Sequence, residues 1–432
     1  MKNILSIIIC GFCLFFNACT KEYLNPSSAS ETQIINDVNG LISLCNGLQQ
    51  KYTIGRASPM YTIPTTSGLL TGELVNLNAG NTDEANLQAG DQSVGSSNNV
   101  LKNLWEQLNL IKSNANIILK NADIAKIDGV KVGIIAHASL FKALSLGGVA
   151  LFWEKAPLVV QTNAPFVTRT DLINEAINIL LNVETILNTT AISTDFSSKV
   201  QGANIDYKNT ILALIARYYN LLGNNDKAIE YANKVDLTMV SNFIHDVGAA
   251  KNAIFESSFS NRNVGEPKDT FFNLPVGLRT TPGDNRTTKF FRSPAVSTSI
   301  NLGLSTTGFF ATASTSVPIY RPSEMILILA EAYTRKNDLP NALIQINKIL
   351  TKTSDPVGIT AKLTPFAGTN DVNAYLTEIY KQRCIELYLT GLRFEDSKRF
   401  LRPISERNNR DFMPYPNSER DNNINTPINP DK

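Results

Sequence analysis

The sequence predicts a mostly α-helical protein, in which tetratricopeptide-like helical hairpins stack into a superhelix and long irregular loops gather on one side. Two observations carry that expectation. In "RPSEMILILAEAYTRKNDLPNALIQINKIL" (321–350), Met325, Ile328, Leu329, Ala332 and Tyr333 recur at helical spacing and define one apolar face. A related stretch, "LALIARYYNLLGNNDKAIEYANKV" (212–235), lies 114 residues upstream, so that Ala228 superposes on Ala342, Ala216 on Ala330 and Tyr219 on Tyr333. Small residues at fixed positions let two helices approach closely, and the tyrosines fill the groove beside them. Such a repeat cannot bury its face alone, so partner helices are required.

Each element follows in order. Met1-Lys2-Asn3 and the thirteen-residue apolar run Ile4–Phe16 read as a signal peptide over 1–18. As a helix that run reaches only about 20 Å, against a hydrocarbon core of about 30 Å. Ala18–Cys19 then fits a lipoprotein processing site, with Cys19 as the lipid-attachment residue and the first mature residue. No later segment reads as a membrane span. Helices are expected over 99–122, 133–148 and 171–187, then in the hairpin at 212–235. In the second hairpin Pro322 suits a first helical turn and Asp338 caps the second helix. A last helix runs over 373–391, stopped by Gly391. Two stretches, 58–97 and about 260–317, are rich in Asn, Gly, Ser and Thr and read as long loops. The mature chain, 19–432, is expected to be a single domain, with an N-terminal part to about 250 and a C-terminal part from 251.

Composition excludes several functions. Lys and Arg total 40 against 38 acidic residues, a net charge of +2, and no basic stripe is present to bind nucleic acid. Beyond the leader and Cys19 only Cys45 and Cys384 remain, both in apolar helical settings and too few for a disulfide framework. His137 and His245 lie far apart without ligand spacing, so no metal or cofactor is expected. Glu378, Glu386, Glu395 and Asp396 could suggest a glycosidase, which needs two carboxyl groups facing across a cleft. Here they share one short region with Arg383, Arg393 and Arg399 at helical spacing, the pattern of a charge network joining the last helix to the repeats. No catalytic triad or phosphate-binding loop is present, and the chain reads as a non-enzyme. Trp105 and Trp153 could be sugar-stacking platforms. Tyr52, Tyr61, Phe290, Phe291 and Tyr320, in or beside the long loops, are the candidate ligand-binding residues.

The chain resembles the SusD/RagB family of outer-membrane nutrient-binding lipoproteins. The resemblance runs through "ACTKEYLNPSS", "LWEQLNLIKSNANIIL", "LFWEKAPLV" and "ALIARYYNLLGNNDKAIEYANKV". Its most specific parts are "YRPSEMILILAEAY", "IYKQRCIELYLTGLRFEDSKRF" and "MPYPNSERDNNINTPINP". The segments that hold Trp105 and Trp153 resemble structural motifs of the family, which implies core positions for both. The family's usual Glu-Arg-Arg before Ile385 is here Gln382-Arg383-Cys384, which removes one local ion pair. The resemblance implies a SusD-like fold, an outer-membrane location facing the cell exterior, and a SusC-like TonB-dependent transporter as partner. It also implies capture of an oligosaccharide for that transporter, and Lys21-Glu22 resembles the export signal. Peptide cargo, a protein-binding scaffold and a surface hydrolase are the alternatives.

Overall fold

A computed structural model describes residues 35–260, 264–292, 305–306 and 308–431. The predicted leader and Cys19 lie outside the described residues.

Helices dominate. From the N-terminus they are α1 (Val38–Thr53), α2 (Pro59–Thr71), α3 (Thr82–Ala89), α4 (Asn99–Asn121), α5 (Asp128–Phe152), α6 (Arg169–Thr189), α7 (Thr194–Lys199), α8 (Tyr207–Leu221) and α9 (Asn225–Lys234). After a segment of short elements that includes α10 (Arg286–Phe290) come α11 (Pro322–Arg335), α12 (Leu339–Leu350), α13 (Val372–Glu386), α14 (Arg393–Arg399) and α15 (Asn417–Asn422). Neighbouring helices pack in succession: α4 on α5, α5 on α6, α6 on α8, α9 on α11 and α11 on both α12 and α13. That is the expected stack of hairpins.

The two repeats match residue by residue. Ala216, Ala228, Ala330 and Ala342 are all fully buried where paired helices touch. Gly223 and Asn337, again 114 apart, both adopt left-handed backbone (φ 71° and 60°) in the turn between their helices. The next residues cap the second helices: Asn224 accepts from the Lys227 amide and Asp338 from the Asn341 amide.

α5 corrects one expectation. It is long and apolar enough, by composition, to cross a membrane, yet it is largely buried inside the protein. It packs against α4, α6 and α1 as the central core helix.

A second correction concerns 58–97. This stretch contains α2, all thirteen residues of which are buried, and α3. Its Ser, Thr, Gly and Pro content reads as loop because local propensity is weak, and tertiary burial overrides it. Thr62 and Thr71 satisfy their hydroxyls on carbonyls one turn back, while Ser67 Oγ accepts the Phe394 amide at 3.2 Å. Gly68 lies so close to Leu74 and Leu389 that a Cβ would meet them at 3.1 and 3.3 Å.

Third, α13 ends at Glu386, five residues before Gly391. Arg321, at the start of α11, takes the Glu386 and Tyr388 carbonyls at 2.5 and 2.8 Å. The buried carboxylate of Glu73 accepts the Leu389 amide at 3.2 Å, with Leu389 in left-handed backbone (φ 54°). Partners from distant segments terminate this helix before the glycine can.

Short antiparallel ladders tie the loops down. β1 (Leu74–Asn76) pairs with Gly265–Pro267, and Lys155–Pro157 pairs with Phe166–Thr168. Ala203–Asn204, Asn242–Phe243 and Val317–Pro318 form a three-stranded sheet. Trp105 and Trp153 stack edge-on at 5.0 Å within the core, as the resemblance of their segments implies.

Two outcomes test this packing. Ala342→Leu should overpack α11 against α12 and cost about 1–3 kcal/mol, read as a lower melting temperature. Burial, opposed by Arg393, pushes the Glu73 carboxyl up to about 7. A carboxyl raised in the fold favours the protein below its unfolded value, and that contribution disappears as pH rises through about 7. Relative to Glu73→Gln, the wild type should therefore lose on the order of 1–3 kcal/mol between about pH 5 and pH 8 in parallel denaturant titrations.

Candidate functional site

The five aromatic residues expected on a binding surface lie inside the protein. Tyr52 packs on Phe141 and Phe243 at 5.6 and 5.7 Å. Tyr61 is fully buried and its hydroxyl donates to Glu84 at 3.2 Å. Phe290 and Phe291 both stack on Phe272 and Tyr388. Tyr320 accepts from Asn209 Nδ2 at 2.5 Å and donates to the Met239 carbonyl. All five are less than a tenth exposed, although Tyr61 contributes to the wall of the smaller of two hollows beside the α1–α2 turn, and Tyr52 and Tyr320 to a small cavity of about 90 Å³. These rings are buried in helices α1 and α2 or in the central segment, where they add hydrophobic area that anchors the chain.

The carboxylates near the C-terminus are equally committed to structure. Glu386 pairs with Arg286 and Lys352, each at 2.9 Å, and not with Arg383. Arg383 pairs with Asp396 at 2.9 Å, and Arg399 bridges Asp396 to Glu331 of α11. Glu395 is held by Arg169 and Lys398. Burial works to raise Glu331, Glu386 and Glu395, but the facing cations win and hold all three below the usual carboxylate value. All of these carboxylates are buried and paired, so they cannot act as a facing acid and base. The charge network expected between the last helices and the repeats is present. Among the described residues, no cluster of His, Cys, Asp and Glu could hold a metal ion.

Open space lies elsewhere, where α1 turns into α2. Gly55 (φ 85°) allows the turn, and Ser58 closes it by bonding the Gly55 carbonyl through both its amide and its hydroxyl. On one side of the turn is a hollow of about 760 Å³, with Gln50, Lys51, Gln107, Gln201, His245 and Asp246 in its wall. On the other is a hollow of about 480 Å³ that includes Arg56, Asn81, Asp83, Asn99 and Asn103. Ala57 lines both. The two are thus adjacent, separated by one small side chain, and each falls within the ~300–1,000 Å³ of small-molecule pockets.

The walls are fixed by hydrogen bonds. Arg56 pairs with Glu84, which also receives Tyr61. Asn98 caps α4 through the Val100 and Leu101 amides, and its Nδ2 holds the Asp83 carbonyl at 2.9 Å. Asn99 holds the Asp83 carboxylate. Across the turn, the Ile244 amide bonds the Gly202 carbonyl, while Asp246 Oδ1 accepts the Gly248 and Ala250 amides. Of the five candidate aromatics only Tyr61 lines either hollow; Gln107, Gln201 and the 244–250 loop are not among the candidates, and neither hollow draws a lining residue from the second loop stretch. The missed signal is compositional: the polar side chains facing the hollows mix amides with charged and hydroxyl groups and are scattered over five segments.

Comparison with known proteins agrees with this architecture. Residues 280–430 match the SusD family model. No curated protein sequence matches the chain. A SusD superfamily protein from Bacteroides thetaiotaomicron is similar in structure, with a TM-score of 0.70 at 15% identity, over 91% of this chain and 99% of that one. A SusD-like carbohydrate binding protein from Bacteroides fragilis gives 0.64 at 13%, over 85% and 87%. Another, from Bacteroides vulgatus, gives 0.61 at 16%, over 85% and 84%. At these identities the structural likeness establishes the fold. The C-terminal third of the chain thus matches the SusD family, and the described chain shares the fold of SusD-superfamily structures.

Proposed function

We propose that this chain is a cell-surface nutrient-binding lipoprotein, held to the outer membrane by a lipid on Cys19, that captures oligosaccharide and delivers it to a SusC-like TonB-dependent transporter. The observation that carries the reading is the pair of polar hollows meeting at Ala57, to which seven Asn and Gln side chains contribute. Amides both donate and accept, which suits a neutral ligand covered in hydroxyls. Ile54, Ile244 and several alanines also line the larger hollow and offer an apolar patch beside the polar groups, as the less polar face of a sugar ring requires. Two structural relatives are described as carbohydrate binding, which supports the cargo class.

Capture without turnover fits the pairing of the C-terminal carboxylates. Each ligand hydrogen bond contributes only about 0.5–1.5 kcal/mol net, so affinity must be built from several contacts and from enclosure against the transporter.

Two measurements test this function. Calorimetric titration of the soluble domain with neutral oligosaccharides should give binding, and Ala57→Trp, which fills the saddle between the hollows, should weaken it about tenfold or more. Peptides that bind while sugars do not would reassign the cargo. Metabolic labelling with a fatty-acid analogue should mark the wild type in cells and leave Cys19→Ser unmarked; equal labelling of both would remove the anchor from the proposal.

A further inference from the structure

The wall of the larger hollow contains an anomaly. Gln49 and His245 both line it, are only 2% and 5% exposed, and each leaves one buried polar atom without a partner: Gln49 Oε1 and His245 Nε2. Orphaned polar atoms at such depth are uncommon, because each forfeits the hydration it had in the unfolded chain.

The chemistry of both atoms is fixed by what their neighbours already do. Gln49 Nε2 donates to the Gln201 carbonyl at 2.6 Å, so its remaining atom is the carbonyl oxygen, an acceptor. His245 Nδ1 lies 3.2 Å from the Ala250 carbonyl, a contact that requires the proton on Nδ1. Nε2 of the neutral ring is then also an acceptor. Two acceptors from different segments thus line one wall, and no donor among the described residues serves either.

We infer that Gln49 and His245 form an acceptor pair that takes hydroxyl protons from the bound ligand, and that this pair selects uncharged, hydroxyl-bearing cargo over anionic cargo. The inference rests on the receptor reading above and adds the group that the hollow recognises. Both atoms are shielded from open solvent within the wall of the hollow, so a ligand hydroxyl must press into that wall to reach them. An anionic group would face two lone pairs there and be repelled.

The pair carries its own signature in pH. The charged groups facing His245 are few. Asp246 adjoins it on its own loop, Lys51 lines the hollow from the end of α1, and the other wall segments contribute the neutral Gln107, Gln201 and Gly202. Burial lowers the His245 pKa from its ordinary 6.5, against the opposing pull of the Ala250 carbonyl and Asp246. Once protonated, Nε2 becomes a donor and can no longer accept from a hydroxyl. Binding should therefore be level at neutral pH and weaken only as pH falls through the lowered His245 value, beneath its ordinary 6.5.

The test is calorimetric titration of the soluble domain with a neutral oligosaccharide between about pH 5 and pH 7.5, with melting curves to confirm folding. The wild type should bind about tenfold more weakly at the lower pH. His245→Asn, which keeps an acceptor that does not titrate, should bind with a flat profile, and His245→Phe should bind weakly throughout. Gln107→Trp, which blocks the same hollow from the half-buried face of α4, should abolish the pH effect along with most of the affinity. Wild-type binding that is unaffected by pH and by all three variants, yet lost in Asn103→Trp of the smaller hollow, would overturn this inference while leaving the receptor reading intact. If no oligosaccharide binds the wild type at any pH, both fail.

Discussion

The pairing of buried charges around α13 and α14 is the constraint on which the rest of the structure depends. Arg286, Arg321, Arg383, Arg393, Glu331, Glu386 and Asp396 are all nearly inaccessible to solvent. A buried charge costs several kcal/mol unless it is paired and hydrogen-bonded, and removing one partner of a buried pair typically costs about 3–5 kcal/mol. The network therefore has little freedom: Glu386 requires both Arg286 and Lys352, and Arg399 requires Glu331. Its members come from nearly every part of the chain. Arg169 reaches Glu395 from α6, Arg217 reaches Glu324 from α8, and Arg393 holds the Phe272 and Asn273 carbonyls of the central segment. Satisfying these charges at once brings the C-terminal helices, the repeats and the central segment into one arrangement.

Aromatic rings do for the loops what the charges do for the helices. Phe272 sits in left-handed backbone, an unusual conformation for a bulky residue, and is held there by ring contacts to Phe290, Phe291 and Tyr388 and by the Arg393 grip on its carbonyl. That cluster presses the central segment onto the end of α13. Tyr52 and Phe243 do the same on the other side, fixing the three-stranded sheet from which the 244–250 loop departs. The rings are thus spent on support, and the polar side chains around the turn at Ala57 remain free to face open space.

How much of this is legible in the sequence depends on range. The repeats are legible because their signal is local: alanines, tyrosines and caps recur at one fixed offset, and the structure places Gly223 and Asn337 in the same backbone state. The charge network is legible as a pattern, since Arg and acidic residues alternate at helical spacing. Its pairing is not legible, because Arg383 bonds Asp396 and leaves the nearer Glu386 to Arg286. α2 is illegible for a physical reason, since its Thr and Ser hydroxyls imitate a loop and only burial against α14 and β1 makes a helix of them. The aromatic candidates fail for a related reason. A ring in a polar loop marks where the loop is anchored as readily as where it is open, and sequence alone cannot separate the two.

The same division explains why the hollows form where they do. They lie beside the α1–α2 turn, away from the paired charges, and their walls are short segments tied by backbone hydrogen bonds. Gln49 illustrates the balance. Its amide nitrogen closes the 201–202 segment against α1, so its oxygen cannot turn away to find another donor. His245 is held in the same manner by the Ala250 carbonyl. In both residues one polar atom fixes the side chain and the other is left pointing from a rigid support. A group arranged in advance loses little conformational entropy on binding, so even a modest hydrogen bond can contribute close to its full value. The unpaired acceptors are therefore a consequence of how the wall is held, and the same hydrogen bonds that orphan them keep them in place for a ligand.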